Sequence, residues 1–152
     1  MKHPANRLFG AAVFAAGLVI VALGYASAPT GRYTIANGTV YDSKTKLTWQ
    51  QAVSSSLYAQ AGAASYCSTL ALNADAWRLP TMKELVTIVD FSGAPLAMAF
   101  DATAFPGTPT SAAFWTSTPY AGATGNTWLV SFSDGTTSHD VASNTYNARC
   151  VH

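Results

Sequence analysis

The densest run of chemically capable side chains is "WRLPTMKEL", Trp77 to Leu85, in a chain of 152 residues with only 10% charged residues. A guanidinium, an ammonium and a carboxylate so close together could hold an anion or move a proton. The spacing also gives most of them architectural work. Thr81 and Glu84 stand in capping-box register: the hydroxyl takes the amide of residue 84 and the carboxylate reaches back to the amide of residue 81. Pro80 stops the extended Trp77-Arg78-Leu79 from continuing into the helix. Leu85, Ile88 and Val89 supply that helix's inward face, and Gly93 is expected to end it soon after Asp90. Arg78 is left with two partners in view, a carboxylate or the carbonyls at a helix end. A structural ion pair is preferred over a catalytic role.

The other chemical pair is His139-Asp140. Neighbours on a strand point to opposite faces, so these two cannot form a relay with each other. No Gly-x-Ser-x-Gly elbow supplies a nucleophile, which favours a surface histidine on a hairpin over an active site. Cys67 and Cys150 lie far apart, with His139 and His152 elsewhere, a pattern unlike a zinc motif. No metal, no cofactor and no enzymatic activity are expected.

The N-terminus bears on how the cysteines are read. Lys2 and Arg7 precede an uncharged run from Leu8 to Ala28 that ends Ala26-Ser27-Ala28. A basic start, an apolar middle and small residues make residues 1–28 a secretory signal. A cut after Ala26 is easier than one after Ala28, which would place the tertiary amide of Pro29 beside the scissile bond. At about 20 residues the run is also long enough to stay as an uncleaved anchor. Residues 29–152 then form one exported domain, periplasmic, cell-surface or secreted, whose mature part does not insert in the membrane. In an oxidising compartment two cysteines default to one disulfide. Closing so long a loop is worth roughly 4–5 kcal/mol. From Pro29 onward six Lys/Arg (Arg32, Lys44, Lys46, Arg78, Lys83, Arg149) face seven Asp/Glu. That balance offers no basic block for nucleic acid or an anionic membrane surface.

The elements that position these residues are short. Asn37-Gly38 is the pair a tight hairpin turn needs, with Tyr33 and Ile35 before it and Val40 and Tyr41 after. A polar turn, Asp42 to Lys46, leads into a strand carrying Leu47 and Trp49. Ser54-Ser55-Ser56 offers a helix N-cap, and Ala59, Ala63, Tyr66, Cys67 and Leu70 then fall at helical spacing. From Phe91 to Trp128 the chain is loop-rich, with Phe114 to Ser117 as a short strand. Long irregular segments in compact domains are often functional. A hairpin follows, with Trp128, Val130 and Phe132 on one face and Asp134-Gly135 in the turn. "NTYNARCVH" reads as a last strand delivering Cys150.

In order, "GTVYDSKTKLTWQ", "YCSTL", "WRLPTMKEL", "FPGTP", "FWTSTPY" and "ARCV" resemble the bacterial Lcl C-terminal domain family, from about Gly38 to Val151. That family is similar to C-type lectin-like domains. The resemblance implies an α+β fold: two helices packed on a twisted, mostly antiparallel sheet, with N- and C-terminal strands together. It also implies a Cys67–Cys150 bridge between the first helix and the last strand. The name-giving member is the tip of a collagen-like adhesin that binds glycosaminoglycans. The Glu-Pro-Asn or Gln-Pro-Asp and Trp-Asn-Asp motifs of calcium-dependent lectins are missing. Prolines in the loops are flanked as Phe105-Pro106-Gly107, Thr108-Pro109-Thr110 and Thr118-Pro119-Tyr120, without carboxylates for a hard cation.

The expected function is therefore a binding or adhesion module for a glycan or a surface protein. Tyr120, Asn126, Trp128, His139, Asp140 and Tyr146 are its candidate ligand residues, offering aromatic platforms and polar rims. Trp128 is also a candidate core residue. The alternatives are a structural subunit of an envelope or appendage assembly, and a hydrolase of unrecognised type.

Overall fold

The computed structural model describes residues 27–73, 76–91 and 99–152. All but the last two residues of the proposed leader, and Gly93, lie outside them. The domain is α+β, built of two three-stranded antiparallel sheets and two short helices.

The first sheet is a meander of β1 (Tyr33–Ala36), β2 (Thr39–Asp42) and β3 (Leu47–Gln50). Asn37 and Gly38 both take positive φ, 50° and 78°, which closes the two-residue turn and pairs Ala36 with Thr39. That is the backbone sign a tight turn between right-twisted strands requires. Helix α1 spans Gln60–Ser68 and α2 spans Met82–Val86. The second sheet runs β4 (Ala113–Pro119), β5 (Asn126–Ser131) and β6 (Thr137–Val141), in that order.

Two expectations about helix ends are corrected. The serines at 54–56 do not cap α1: the N-cap is Ala59, with no side-chain cap. Ser54 instead meets the Tyr58 hydroxyl at 2.8 Å and accepts from the Ser56 amide, so its oxygen is spent on a local turn. Short polar side chains compete for backbone in this way. Helix α2 ends at Val86, ahead of Gly93, with Thr87 as its C-cap. Ile88 and Val89 are nevertheless buried, carried inward by the turns that follow.

The second sheet divides the interior. Side chains alternate along its strands. Phe114 and Val130 join a core with Val40, Trp49, Leu85 and Phe132, between this sheet, α2 and the first sheet. Trp115 and Leu129 join the other core, with Ala63 and Cys67 of α1, Trp77 and Leu79. Trp49 and Trp115 are fully buried; truncating either to alanine would cost on the order of 3–5 kcal/mol.

The C-terminal segment is the seam between these parts. In place of the regular strand expected from "NTYNARCVH", it forms a series of single bridges: Tyr146 with Tyr58, Asn147 with Phe114, and Val151 with both Trp49 and Arg78. Its four residues Ala148 to Val151 are all fully buried. Ala148 and Cys150 belong to the α1 core and Val151 to the other. Cys150 is bonded to Cys67, with Cα atoms 5.3 Å apart.

Candidate functional site

The β5–β6 hairpin carries the clearest outward-facing chemistry. Antiparallel pairing sets Trp128 opposite His139, and Asn126 opposite Val141, on one face. Thr127, opposite Asp140, and Leu129 lie on the other. The turn is wider than a two-residue one, because Ser131 still bonds Thr136 and Phe132 to Gly135 form the loop. The Asp134 carboxylate accepts from the Thr136 amide and hydroxyl, which stiffens it.

Tyr120 follows β4 and donates its amide to the Asn126 carbonyl at 2.9 Å. Its ring stacks on His139, with centroids 3.6 Å apart and planes 8° from parallel. The Trp128 ring meets both edge-on, at 5.0 Å from Tyr120 and 6.1 Å from His139. Asn126 Nδ2 lies 3.1 Å from His139 Nδ1, fixing the imidazole in its plane. His139 is exposed, and Tyr120, Asn126 and Trp128 are half-buried. Trp128 is thus neither core nor free surface; it backs the Tyr120–His139 stack. The Tyr120 ring also lies against Gly122, where an added Cβ would come within 2.6 Å of it.

Asp140 and Tyr146 form a separate group on the reverse face. Asp140 Oδ2 accepts from the Tyr146 hydroxyl at 2.6 Å and from Asn144 Nδ2 at 2.7 Å; Oδ1 accepts from the Val141 amide. The Tyr146 bond, then the Asn144 and Val141 bonds, hold this carboxyl below the usual carboxylate range. The same bond raises the Tyr146 hydroxyl above its ordinary value. The Tyr146 ring meets Trp115 edge-on at 5.1 Å. So the six candidate residues resolve into two constellations, and His139 and Asp140 face opposite sides of their strand.

The "WRLPTMKEL" run holds architecture. Arg78 grips Glu84 through two parallel bonds of 2.8 and 2.6 Å. Glu84 Oε2 also accepts from the Thr81 amide at 2.8 Å, while the Thr81 hydroxyl accepts from the Glu84 amide. The Arg78 guanidinium first, and the Thr81 bonds after it, pull the Glu84 carboxyl down to about 2. Pro80 contributes its carbonyl, which accepts from the Ser117 amide, and Trp77 Nε1 donates to the Leu72 carbonyl.

Sequence reasoning missed Arg149. It is wholly buried, with Nη1 donating to the Gln50 and Gln51 carbonyls at 2.9 Å each and Nη2 to the Thr108 hydroxyl at 2.6 Å. Phe105 and Phe114 lie on the guanidinium, 4.6 and 5.7 Å from its carbon. Among the described residues its Nε has no partner. Burial pushes its pKa down to about 9, which still leaves it charged at neutral pH. The available signal was an arginine set between Ala148 and Cys150, two residue types that are most often buried.

Among the described residues no three His, Cys, Asp or Glu side chains converge as metal ligands would, and no helix is long and apolar enough to cross a membrane. The features in hand are those of a small disulfide-locked α+β domain that presents an aromatic, nearly uncharged hairpin face. The chain belongs to the Lcl C-terminal domain family, whose sequence model matches residues 38–152. No curated protein matches the chain.

Proposed function

We propose that this chain is an exported, non-enzymatic binding or adhesion module with a C-type lectin-like arrangement, recognising a glycan or a surface protein without a lectin-type calcium site. The observation that carries this is the Tyr120–His139 stack backed by Trp128 on the exposed side of the hairpin. Neither core needs those rings, and flat aromatic surface beside amide and imidazole groups is what holds a sugar ring or a peptide side chain. The opposed directions of His139 and Asp140 support the non-enzymatic reading, since the pair offers no relay. Export is supported by the basic-then-apolar N-terminus and the disulfide.

The test is a glycan and surface-protein array with the mature domain, its Tyr120→Ala variant and its His139→Ala variant. A ligand whose binding weakens about tenfold or more in both, with unchanged melting, supports the proposal. Binding indifferent to both, or none at all, overturns it. One observation favours the alternative of a structural subunit: Thr137, Ser138 and His139 of β6 are exposed, at the end of the strand order. An edge strand can pair with a neighbouring chain. Crosslinking in cells that returns one stoichiometric protein neighbour through β6 would select that reading.

A further inference from the structure

A cleft of about 660 Å³ lies between the 53–57 loop, the 107–113 segment and residues 145–147. It shares only Tyr146 with the six hairpin-side candidates. Among the described residues no charged one lines it. Its walls carry the hydroxyls of Ser55, Ser111 and Thr145, all at exposed positions, with Leu57, Pro109 and Tyr146 as apolar surface. Among the described residues those three hydroxyls make no internal hydrogen bond. Leu57 is 56% exposed and adds apolar surface to one wall.

The cleft is also held in shape from below. Arg149 reaches the Gln51 carbonyl, just ahead of the 53–57 wall, and the Thr108 hydroxyl, inside the opposite wall. One buried guanidinium therefore ties both sides at a set separation. A pre-formed site loses less entropy on binding than one that must be ordered.

We propose that this cleft is a second binding site, distinct from the hairpin face, and that it takes an uncharged oligosaccharide. Its volume suits a ligand of a few rings. A charged ligand would give up its hydration here with no opposite charge on the walls to replace it. A peptide held through its backbone needs free amides and carbonyls, and along the 112–113 and 146–147 walls those groups are committed. The Ala112 amide donates to the Pro109 carbonyl, and the Ala112 carbonyl accepts from Phe132. Tyr146 exchanges both its bonds with Tyr58, and Asn147 bonds Ala113 and Trp115. Those walls offer side-chain hydroxyl beside apolar surface, the complement of a neutral sugar's hydroxyls and C–H faces.

The test is titration calorimetry of the full-length protein against neutral hexose and N-acetylhexosamine oligomers, uronic-acid oligomers of equal length, and uncharged peptides. Ser111→Trp fills the cleft; the double variant Ser55→Ala/Thr145→Val removes hydroxyls without adding bulk and carries the test if the tryptophan prevents folding. The expected result is binding of a neutral oligomer, weakened about tenfold or more by the cleft variants. That affinity stays level between about 50 and 500 mM salt and is unaffected by His139→Ala. Preference for uronic acids or peptides, loss that follows His139→Ala but not the cleft variants, or no binding of any probe overturns the site. Because His139→Ala reports on the hairpin face and the cleft variants do not, failure of either proposal is seen separately.

Discussion

The hairpin β5–β6 and the C-terminal segment follow one another in the chain and are built on opposite principles. The hairpin is regular: five consecutive register pairs join Asn126–Val130 to Thr137–Val141, yet most of β6 is exposed. The C-terminal segment has almost no regular pairing, yet Ala148 to Val151 are completely buried and bond to β3 and Arg78, while Asn147 bonds to β4. Hydrogen-bond regularity therefore does not mark where stability resides in this domain. Burial and covalent closure do. The regular element is free to present side chains because the irregular one holds the two sheets and both cores together.

Breaking that contrast starts with the disulfide. Cys67→Ala/Cys150→Ala should lower unfolding free energy by about 4 kcal/mol, the loop-closure value for a long enclosed segment, read from the guanidinium midpoint. The hairpin stack should survive below the new midpoint, because it draws on neither cysteine. Loss of the His139 ring-current shift in the folded variant would show the two regions to be one unit. Next comes Arg149→Met, which keeps the volume between Phe105 and Phe114 but strips partners from Gln50, Gln51 and Thr108. The expected loss is about 2 kcal/mol by urea unfolding. Arg149→Lys should not rescue it, since a point-charge ammonium cannot span three acceptors on two walls.

Arg149 also marks the limit of what could be read from the sequence. Asn37-Gly38 announces its turn because few residues tolerate both dihedrals, and Thr81 with Glu84 announces a cap because the two bonds are local. The α+β class was legible through the family resemblance of the ordered motifs, and the single disulfide through two cysteines behind a leader-like N-terminus. The burial of Arg149 depends on contacts about a hundred positions away, at Gln50, and no local pattern encodes those. The serines at 54–56 misled because an N-cap and a polar turn have the same composition. Side-chain type alone points to Tyr120, Asn126, Trp128 and His139; β5–β6 register and the Tyr120–Asn126 backbone bond bring them together. Asp140 and Tyr146 meet each other instead, since one step along a strand reverses the face.

A third test uses pH. Glu84 has its carboxyl lowered to about 2 by Arg78 and the Thr81 bonds. A carboxyl depressed in the folded state adds stability that is complete above its unfolded value of 4.5 and vanishes as pH falls through its folded value. Glu84→Gln should therefore cost about 1–2 kcal/mol at pH 7, after allowing for the solvent around half-exposed Arg78. Between pH 4.5 and about 2 the wild type should lose this advantage, and the two stability curves should converge. Parallel curves over that range would mean that Arg78–Glu84 contributes nothing as an ion pair. The effect belongs to the locked half of the molecule and should leave the hairpin rings unmoved.

The smallest effect sharpens the contrast from the other side. Gly122 does not need a left-handed backbone; what it provides is room, since a Cβ there would sit 2.6 Å from the Cε1, Cζ and hydroxyl of Tyr120. Those atoms are the free end of a half-exposed side chain, so Gly122→Ala should displace the ring without straining the fold. The expected cost in stability is below about 0.5 kcal/mol. The Tyr120–His139 stack, at 3.6 Å, should nevertheless open, and the imidazole proton resonances should lose their ring-current shift. A change in rings with none in stability would place the hairpin face outside the energetics of the two cores. A melting loss as large as that of Glu84→Gln would mean the aromatic cluster is scaffold after all, and that the binding surface lies elsewhere.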